Sequence, residues 1–384
     1  MRDNVSIFVM VDALGWELIK DRRFLDDILP FRKPLRTILG YSSAAQPTIL
    51  SGKTPSEHGH WSMFYYSPNG SRFWWTQIFS VLPSQIISRR PVRKLIQTLL
   101  KKIADIDGYF NIYSIPLEYL RYFEFCENHD IYAPGGLDGI KTIFDILVEK
   151  KIPYECHNWR TPEQENIRNI LGSLDQKKCQ FYFLYLPELD AIMHDNGTHS
   201  LAVTTKLLHY EKCIRKIYAA AHEKFNDVRL FVFSDHGMTD LIGTHNLLTE
   251  IKKLNLKFRL DYLAFYDSTM ARFWFFSNSA RKEILNLLSQ LQCGSLLSDD
   301  ELKSQQIFFQ DKRYGEAIFL MKPGYQIQPS FMSKKPLNAM HGYHPDHKNS
   351  LAILMSNKPI VKEATTIVNL YEIMSQELEE ILDL

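Results

Sequence analysis

Four stretches of this chain end an apolar run in residues that bind divalent cations well. In Arg229-Leu-Phe-Val-Phe-Ser-Asp-His-Gly-Met238, Asp235 and His236 follow a strand-forming run. Successive strand residues point to opposite faces, so this pair can reach one ion only where the strand becomes a loop, and Gly237 offers the backbone freedom for that change. Val5-Ser-Ile-Phe-Val-Met-Val ends in Asp12 in the same way. Gln180-Phe-Tyr-Phe-Leu-Tyr-Leu leads into Asp190 and His194, whose spacing of four puts them on one face of a helical turn. A group of three histidines, His341, His344 and His347, precedes the apolar run Ser350-Leu-Ala-Ile-Leu-Met355. Any one of these residues could cap a loop or face water. Together, carboxylates and imidazoles at four strand ends are the donor set of zinc or a similar cation, and two adjacent sites are expected.

A cation pair needs something to act on, and Tyr41-Ser-Ser-Ala-Ala-Gln-Pro-Thr-Ile-Leu-Ser-Gly52 supplies a candidate. Small hydroxyl residues here follow the strand-like Leu35-Arg-Thr-Ile-Leu39 and open a helix-like run that stops near Gly52. A hydroxyl at a helix N-terminus meets free backbone N–H groups and the positive end of the helix dipole, which suits a phosphate. The same pattern also describes a plain serine cap.

Taken in order, Asp12, the hydroxyl segment, Asp190-x-x-x-His194, Asp235-His236-Gly237 and His341-Gly342 resemble the alkaline phosphatase superfamily. The closest branch is the type I phosphodiesterase/nucleotide pyrophosphatase family, which also has a run like Ser51-Gly52-x-x-Pro55-x-x-His58-Gly59. The resemblance implies one metal on Asp190, His194 and His341, and another on Asp12, Asp235, His236 and the nucleophile oxygen. It places that nucleophile ten positions before Gly52, at Ser42, with Ser43 the nearest competitor. It implies two divalent ions, zinc or manganese, and a phosphoseryl intermediate that water then releases. Ions roughly 4 Å apart can stabilise both the attacking and the leaving oxygen at phosphorus. Family members often carry Thr with Phe-Pro-Asn where this chain has Ser42-Ser43-Ala44-Ala45, and Met63 stands near an expected phosphate-binding Asn. The reaction implied is hydrolysis of a phosphodiester or pyrophosphate in a nucleotide-like, nucleotide-sugar or lipid-linked substrate. A phosphomonoesterase or phosphonate hydrolase is the alternative within hydrolases, and a non-catalytic membrane or partner-binding module is the alternative outside them. Of the other histidines, only His58 fits the family run, in a structural role; His344, His347 and His199 are weaker candidates.

The elements that must position these residues are strand-like runs alternating with amphipathic helical patterns at Leu137–Lys150, Ala202–Lys224 and Asn369–Leu384. That alternation predicts an α/β/α sandwich around a mostly parallel sheet. Residues 1–59 and 136–384 form the expected hydrolase core, and 60–135 a cap insertion rich in aromatics, including Trp74 and Trp75. Within it, Arg89–Ile103 reads as a basic amphipathic helix, with Val92, Leu95, Ile96, Leu99, Leu100 and Ile103 on one side and Arg93, Lys94, Lys101 and Lys102 on the other. Such a helix suits packing on a core or peripheral contact with an anionic membrane. A net charge of +1 argues against a nucleic-acid polymer as partner. Five scattered cysteines without a CxxC read as reduced thiols. With the first strand beginning by Val5 and no long apolar span, a cytoplasmic location is expected, at the inner membrane surface if the basic helix docks there.

Overall fold

The computed structural model describes residues 4–81, 83, 87, 89–360 and 363–383. At its centre lies β1 (Asn4–Val11), whose alternate residues serve two separate cores. Phe8 and Met10 enter one, and Val5, Ile7, Val9 and Val11 the other. A strand buried on both faces must be covered on both sides. β1 pairs in parallel with β6 (Phe181–Leu186) and with β7 (Asp227–Phe233). β5 (Tyr154–His157) extends the parallel set beside β6. Beyond β7, β12 (Ala352–Ser356) runs antiparallel, and β2 (Phe31–Leu35) closes that edge. The order is therefore β2-β12-β7-β1-β6-β5, a mostly parallel sheet.

Helices α1 (Ser42–Ser51), α3 (Ile143–Glu149) and α7 (Asn369–Asp383) cover the Phe8 face. Helices α4 (Glu163–Asp175), α5 (Glu188–Asn196) and α6 (Leu201–Lys224) cover the Val9 face. The expected sandwich is present, with local differences. The strand expected at Leu35–Leu39 lies earlier, at Phe31–Leu35, where it pairs with β12. The helix expected from Leu137 begins only at Ile143, because Gly139 takes a left-handed φ of 72° and Thr142 forms a capping box with Asp145.

A second sheet has no counterpart in the sequence reading. It is antiparallel, built from β8 (Tyr262–Tyr266), β9 (Met270–Phe275), β10 (Gly294–Leu296) and β11 (Ala317–Met321), in the order β8-β9-β11-β10. The aromatic segment leans on it. β3 (Phe64–Tyr66) pairs with β4 (Phe123–Phe125), and the Phe64 and Phe265 rings stack with centroids 6.0 Å apart. Buried Arg272 of β9 fastens the junction through Asp267, Ser62 Oγ and the Phe64 carbonyl. Among the described residues, helix α2 (Arg90–Ile103) is the longest helix of this segment, and no helix is long and apolar enough to cross a membrane.

Candidate active site

All four expected strand ends meet at the carboxyl edge of the main sheet. Asp12 follows β1 directly, and the left-handed Ala13 (φ 61°) after it donates its N–H to Asp235 Oδ1. Asp235 and His236 leave β7 through Gly237, whose φ is not left-handed. Its small size matters for another reason: a Cβ there would sit 2.2 Å from the Asn349 carbonyl oxygen. The expected conformational role of Gly237 is thus one of close approach. Asp190 and His194 lie one turn apart on α5. His341 follows Ala339–Met340, which pair antiparallel with Thr239–Asp240 and so bring the His341 loop beside the Asp235 loop.

These residues form two clusters, Asp12 with Asp235 and His236, and Asp190 with His194 and His341, each with its potential ligand atoms within 4.8 Å of one another. The clusters adjoin, because the His236 and His341 rings stack with centroids 3.8 Å apart. His236 Nδ1–H donates to the Gly237 carbonyl and His194 Nδ1–H to the Ala339 carbonyl, which leaves both Nε2 lone pairs turned inward. Among the described residues, Asp12 Oδ1, Asp190 Oδ1 and Asp235 Oδ2 are buried with no hydrogen-bond partner. Unpartnered buried carboxylate oxygens beside imidazoles are costly alone and are the hard and borderline donors that divalent ions take. The residues present therefore fit two such ions.

Protons compete with cations for these groups. Burial, then the negative charges of Asp235 and Asp190, hold the Asp12 carboxyl well above its ordinary range, against a hydrogen bond from Tyr185. Burial would also raise Asp190, but His194, then His341 and His236, pull it below the usual carboxylate range. Burial opposes a charged His194, yet the charge and hydrogen bond of Asp190 push it up to about 8. Burial and the neighbouring His236 hold His341 well below the ordinary imidazole range.

Ser42 opens α1, and its Oγ lies 3.0 Å from His236 Nε2. Ser43, the other hydroxyl of that turn, is buried. His58 is structural, as its Nε2 meets Thr48 Oγ1 and its Nδ1 accepts the His60 N–H. His344 and His347 stay outside both clusters, and His199 is exposed.

Several supporting residues escaped the sequence reading. Tyr185 donates to Asp12 Oδ2 and accepts from Gln46 Nε2, while Gln46 Oε1 accepts from Tyr132. Gln46 sits one turn after Ser42 on the same helix face, a spacing that could have signalled it. On the other side, Tyr41 and Thr269 share a hydrogen bond of 2.8 Å, and Thr269 Oγ1 donates to the Gly342 carbonyl. This strut joins the residue before Ser42 to the residue after His341. Gly342 must be glycine for it, since a Cβ would lie 2.7 Å from the Tyr41 ring. From the aromatic segment comes Tyr113, at φ 41°. Burial, then the Tyr109 hydroxyl and the charge of Asp190, hold its phenol well above the usual range. Arg93 fixes that turn by donating to the carbonyls of Ile112, Tyr113 and Ile115. Trp74, by contrast, is 64% exposed, and among the described residues no contact joins Trp74 or Trp75 to the two clusters.

Paired acid–imidazole clusters at a sheet edge, beside a hydroxyl at a helix N-terminus, define a metal-dependent hydrolase of phosphoric esters. The model of the type I phosphodiesterase/nucleotide pyrophosphatase family matches residues 7–344, and the chain belongs to that family. Its fold is similar to that of murine ectonucleotide pyrophosphatase/phosphodiesterase 5, with a TM-score of 0.70 at 14% identity over 98% of this chain and 95% of that one. The human counterpart gives 0.70 at 13% identity with the same coverage. An inactive variant of the murine protein in complex with AMP gives 0.69 at 15% identity, again covering 98% and 95%. A search of curated protein sequences gives no match.

Proposed function

We propose that this chain hydrolyses a phosphodiester or pyrophosphate bond through a seryl-phosphate intermediate on Ser42. The observation that carries the reading is the contact of Ser42 Oγ with His236 Nε2 at 3.0 Å, at the boundary of two clusters that share a stacked imidazole pair. Asp190, His194 and His341 would hold one divalent cation, and Asp12, Asp235, His236 and Ser42 Oγ the other, zinc or manganese by donor type. Bound there, the cations supply Lewis-acid chemistry and lower the pKa of a coordinated hydroxyl. Ser42 Oγ attacks phosphorus as its proton passes to solvent, and the bond to the leaving oxygen breaks. First-turn N–H groups of α1 face the phosphoryl oxygens. Water then attacks the seryl phosphate, the Oγ–P bond breaks, and Ser42 recovers its proton.

Substrates of nucleotide-like, nucleotide-sugar or lipid-linked type fit this chemistry, and the AMP complex of a structural neighbour supports the first of them. Residues 60–135 act as the cap that selects among these. Metal analysis of the isolated protein should find about two zinc or manganese ions per chain. With those ions, bis-p-nitrophenyl phosphate should be hydrolysed at least about tenfold better than p-nitrophenyl phosphate, a difference of ~1.4 kcal/mol in transition-state stabilisation. The opposite preference would make the protein a phosphomonoesterase. Absence of metal, with no activation by either ion, would sink the reading.

A further inference from the structure

Helix α2 contains no acidic residue, and its two faces have different fates. The inner face is fastened to the protein. Ile96 and Leu100 are buried in the core, Arg93 is tied to three carbonyls, Gln97 Nε2 donates to the Phe110 carbonyl, and Lys101 Nζ to the Gly108 carbonyl. Two of the four cations expected to form the basic face, Arg93 and Lys101, are therefore engaged inward.

The outer face is not what an ordinary packed helix shows. Leu95, Leu99 and Ile103 are 71%, 45% and 55% exposed. They stand four residues apart on successive turns and so form one stripe. Lys94 and Lys102, both exposed, precede Leu95 and Ile103 and run along one edge of that stripe, with exposed Arg90 beyond them. Single exposed leucines are common on protein surfaces. A stripe of three edged by Lys94, Thr98 and Lys102, with no acidic side chain on the helix, is the pattern of a helix that lies in the plane of a membrane, apolar side down and lysines at the headgroups. The neighbouring 3₁₀ turn Trp74–Val81 adds exposed Trp74, Ile78 and Val81, and Arg72 at its start reaches the Ala104 carbonyl at the end of α2.

We propose that the outer face of α2 docks on an anionic lipid bilayer, with Leu95, Leu99 and Ile103 inserted at the headgroup boundary and Lys94 and Lys102 paired with lipid phosphates. A second copy of the chain is a poorer occupant. Two-fold packing of this face on itself would set Lys94 and Arg90 against Lys102 and one another, a like-charge contact. An anionic surface complements the same groups and leaves the apolar stripe buried.

The proposal does not rest on the catalytic reading, and the full chain tests it. In co-sedimentation, the protein should bind vesicles of phosphatidylcholine with about a third phosphatidylglycerol, lose most binding at roughly 0.5 M salt, and ignore pure phosphatidylcholine. The triple variant Leu95→Ser/Leu99→Ser/Ile103→Ser and the double variant Lys94→Glu/Lys102→Glu should each bind the anionic vesicles at least about tenfold more weakly. Both should keep wild-type thermal midpoints and wild-type turnover of a small water-soluble diester, which shows that the fold is intact. No binding by the wild type, or equal binding by all three proteins, overturns the proposal. So does a wild-type dimer in sedimentation equilibrium that the serine variant dissolves, because the stripe is then a contact between copies.

Discussion

Ser42 and Ser43 share one helical turn but differ in what their hydroxyls can reach. Only Ser42 contacts the cluster, while Ser43 is buried in the helix packing. Ser42→Ala should therefore lower kcat on a generic diester by about a thousandfold or more, and Ser43→Ala should stay within roughly tenfold of wild type. The reverse ranking would move the nucleophile by one residue. Tyr185 acts one step further out. Its hydroxyl donates to Asp12 and accepts from Gln46, so Tyr185→Phe leaves both without that partner. Outer groups of this kind orient ligands and tune affinity. Chelator competition should show a ~10–100-fold weaker metal affinity in Tyr185→Phe, with a loss of about 1–3 kcal/mol in stability from the unmet buried amide. Unchanged affinity would mean that Asp12 is positioned by its backbone alone.

At the scale of elements, the second sheet reaches the site through one turn. Thr269 lies between β8 and β9, and its hydroxyl holds Tyr41 and the Gly342 carbonyl together, so the nucleophile helix and the His341 loop are set from the same point. Thr269→Val keeps the shape but removes both bonds. It should lower kcat about tenfold with KM changed less than roughly threefold, and Thr269→Ser should recover most of the loss. Equal loss in the serine variant would assign the position to packing instead. Nothing in the sequence pointed to Thr269. The runs that became β1, β6, β7 and β12 were legible because a doubly buried strand is a continuous apolar stretch, and Asp12, Asp190 and Asp235 announced themselves by breaking off such stretches. The second sheet was not, because its strands span three to six residues and β9 finds β11 across more than forty positions of chain. Pairing over that distance leaves no local mark. Helix α2 was legible as amphipathic, but which of its cations turn inward depends on carbonyls of the 108–115 turn.

In the whole molecule, the aromatic segment is held to the main body around a buried carboxyl group. Arg160, in the loop after β5, donates to Asp130 Oδ2 and to Asp107 Oδ1, and Trp159 meets Tyr109 edge to face. Glu127 lies among these contacts and accepts the Tyr109 N–H at 2.8 Å. Burial pushes its carboxyl up to about 8, Asp130 adding to the effect and the Tyr109 N–H, Lys101 and Arg160 opposing it. An acid whose pKa is higher folded than unfolded binds its proton more tightly in the folded state, so its contribution to stability is complete below the unfolded value and is lost as pH rises through the folded one. For Glu127 that window runs from its ordinary value of 4.5 to about 8. Glu127→Gln keeps an oxygen for the Tyr109 N–H and removes the titration. Its unfolding free energy should match wild type near pH 4 and exceed it increasingly toward pH 9, by on the order of 4 kcal/mol at the upper end. Every other titrating group, the two acid–imidazole clusters included, is common to both proteins, so the difference between the two curves isolates this one carboxyl. Parallel curves across that range would mean that Glu127 is already ionised in the folded protein at pH 5, and that Lys101 and Arg160 outweigh its burial.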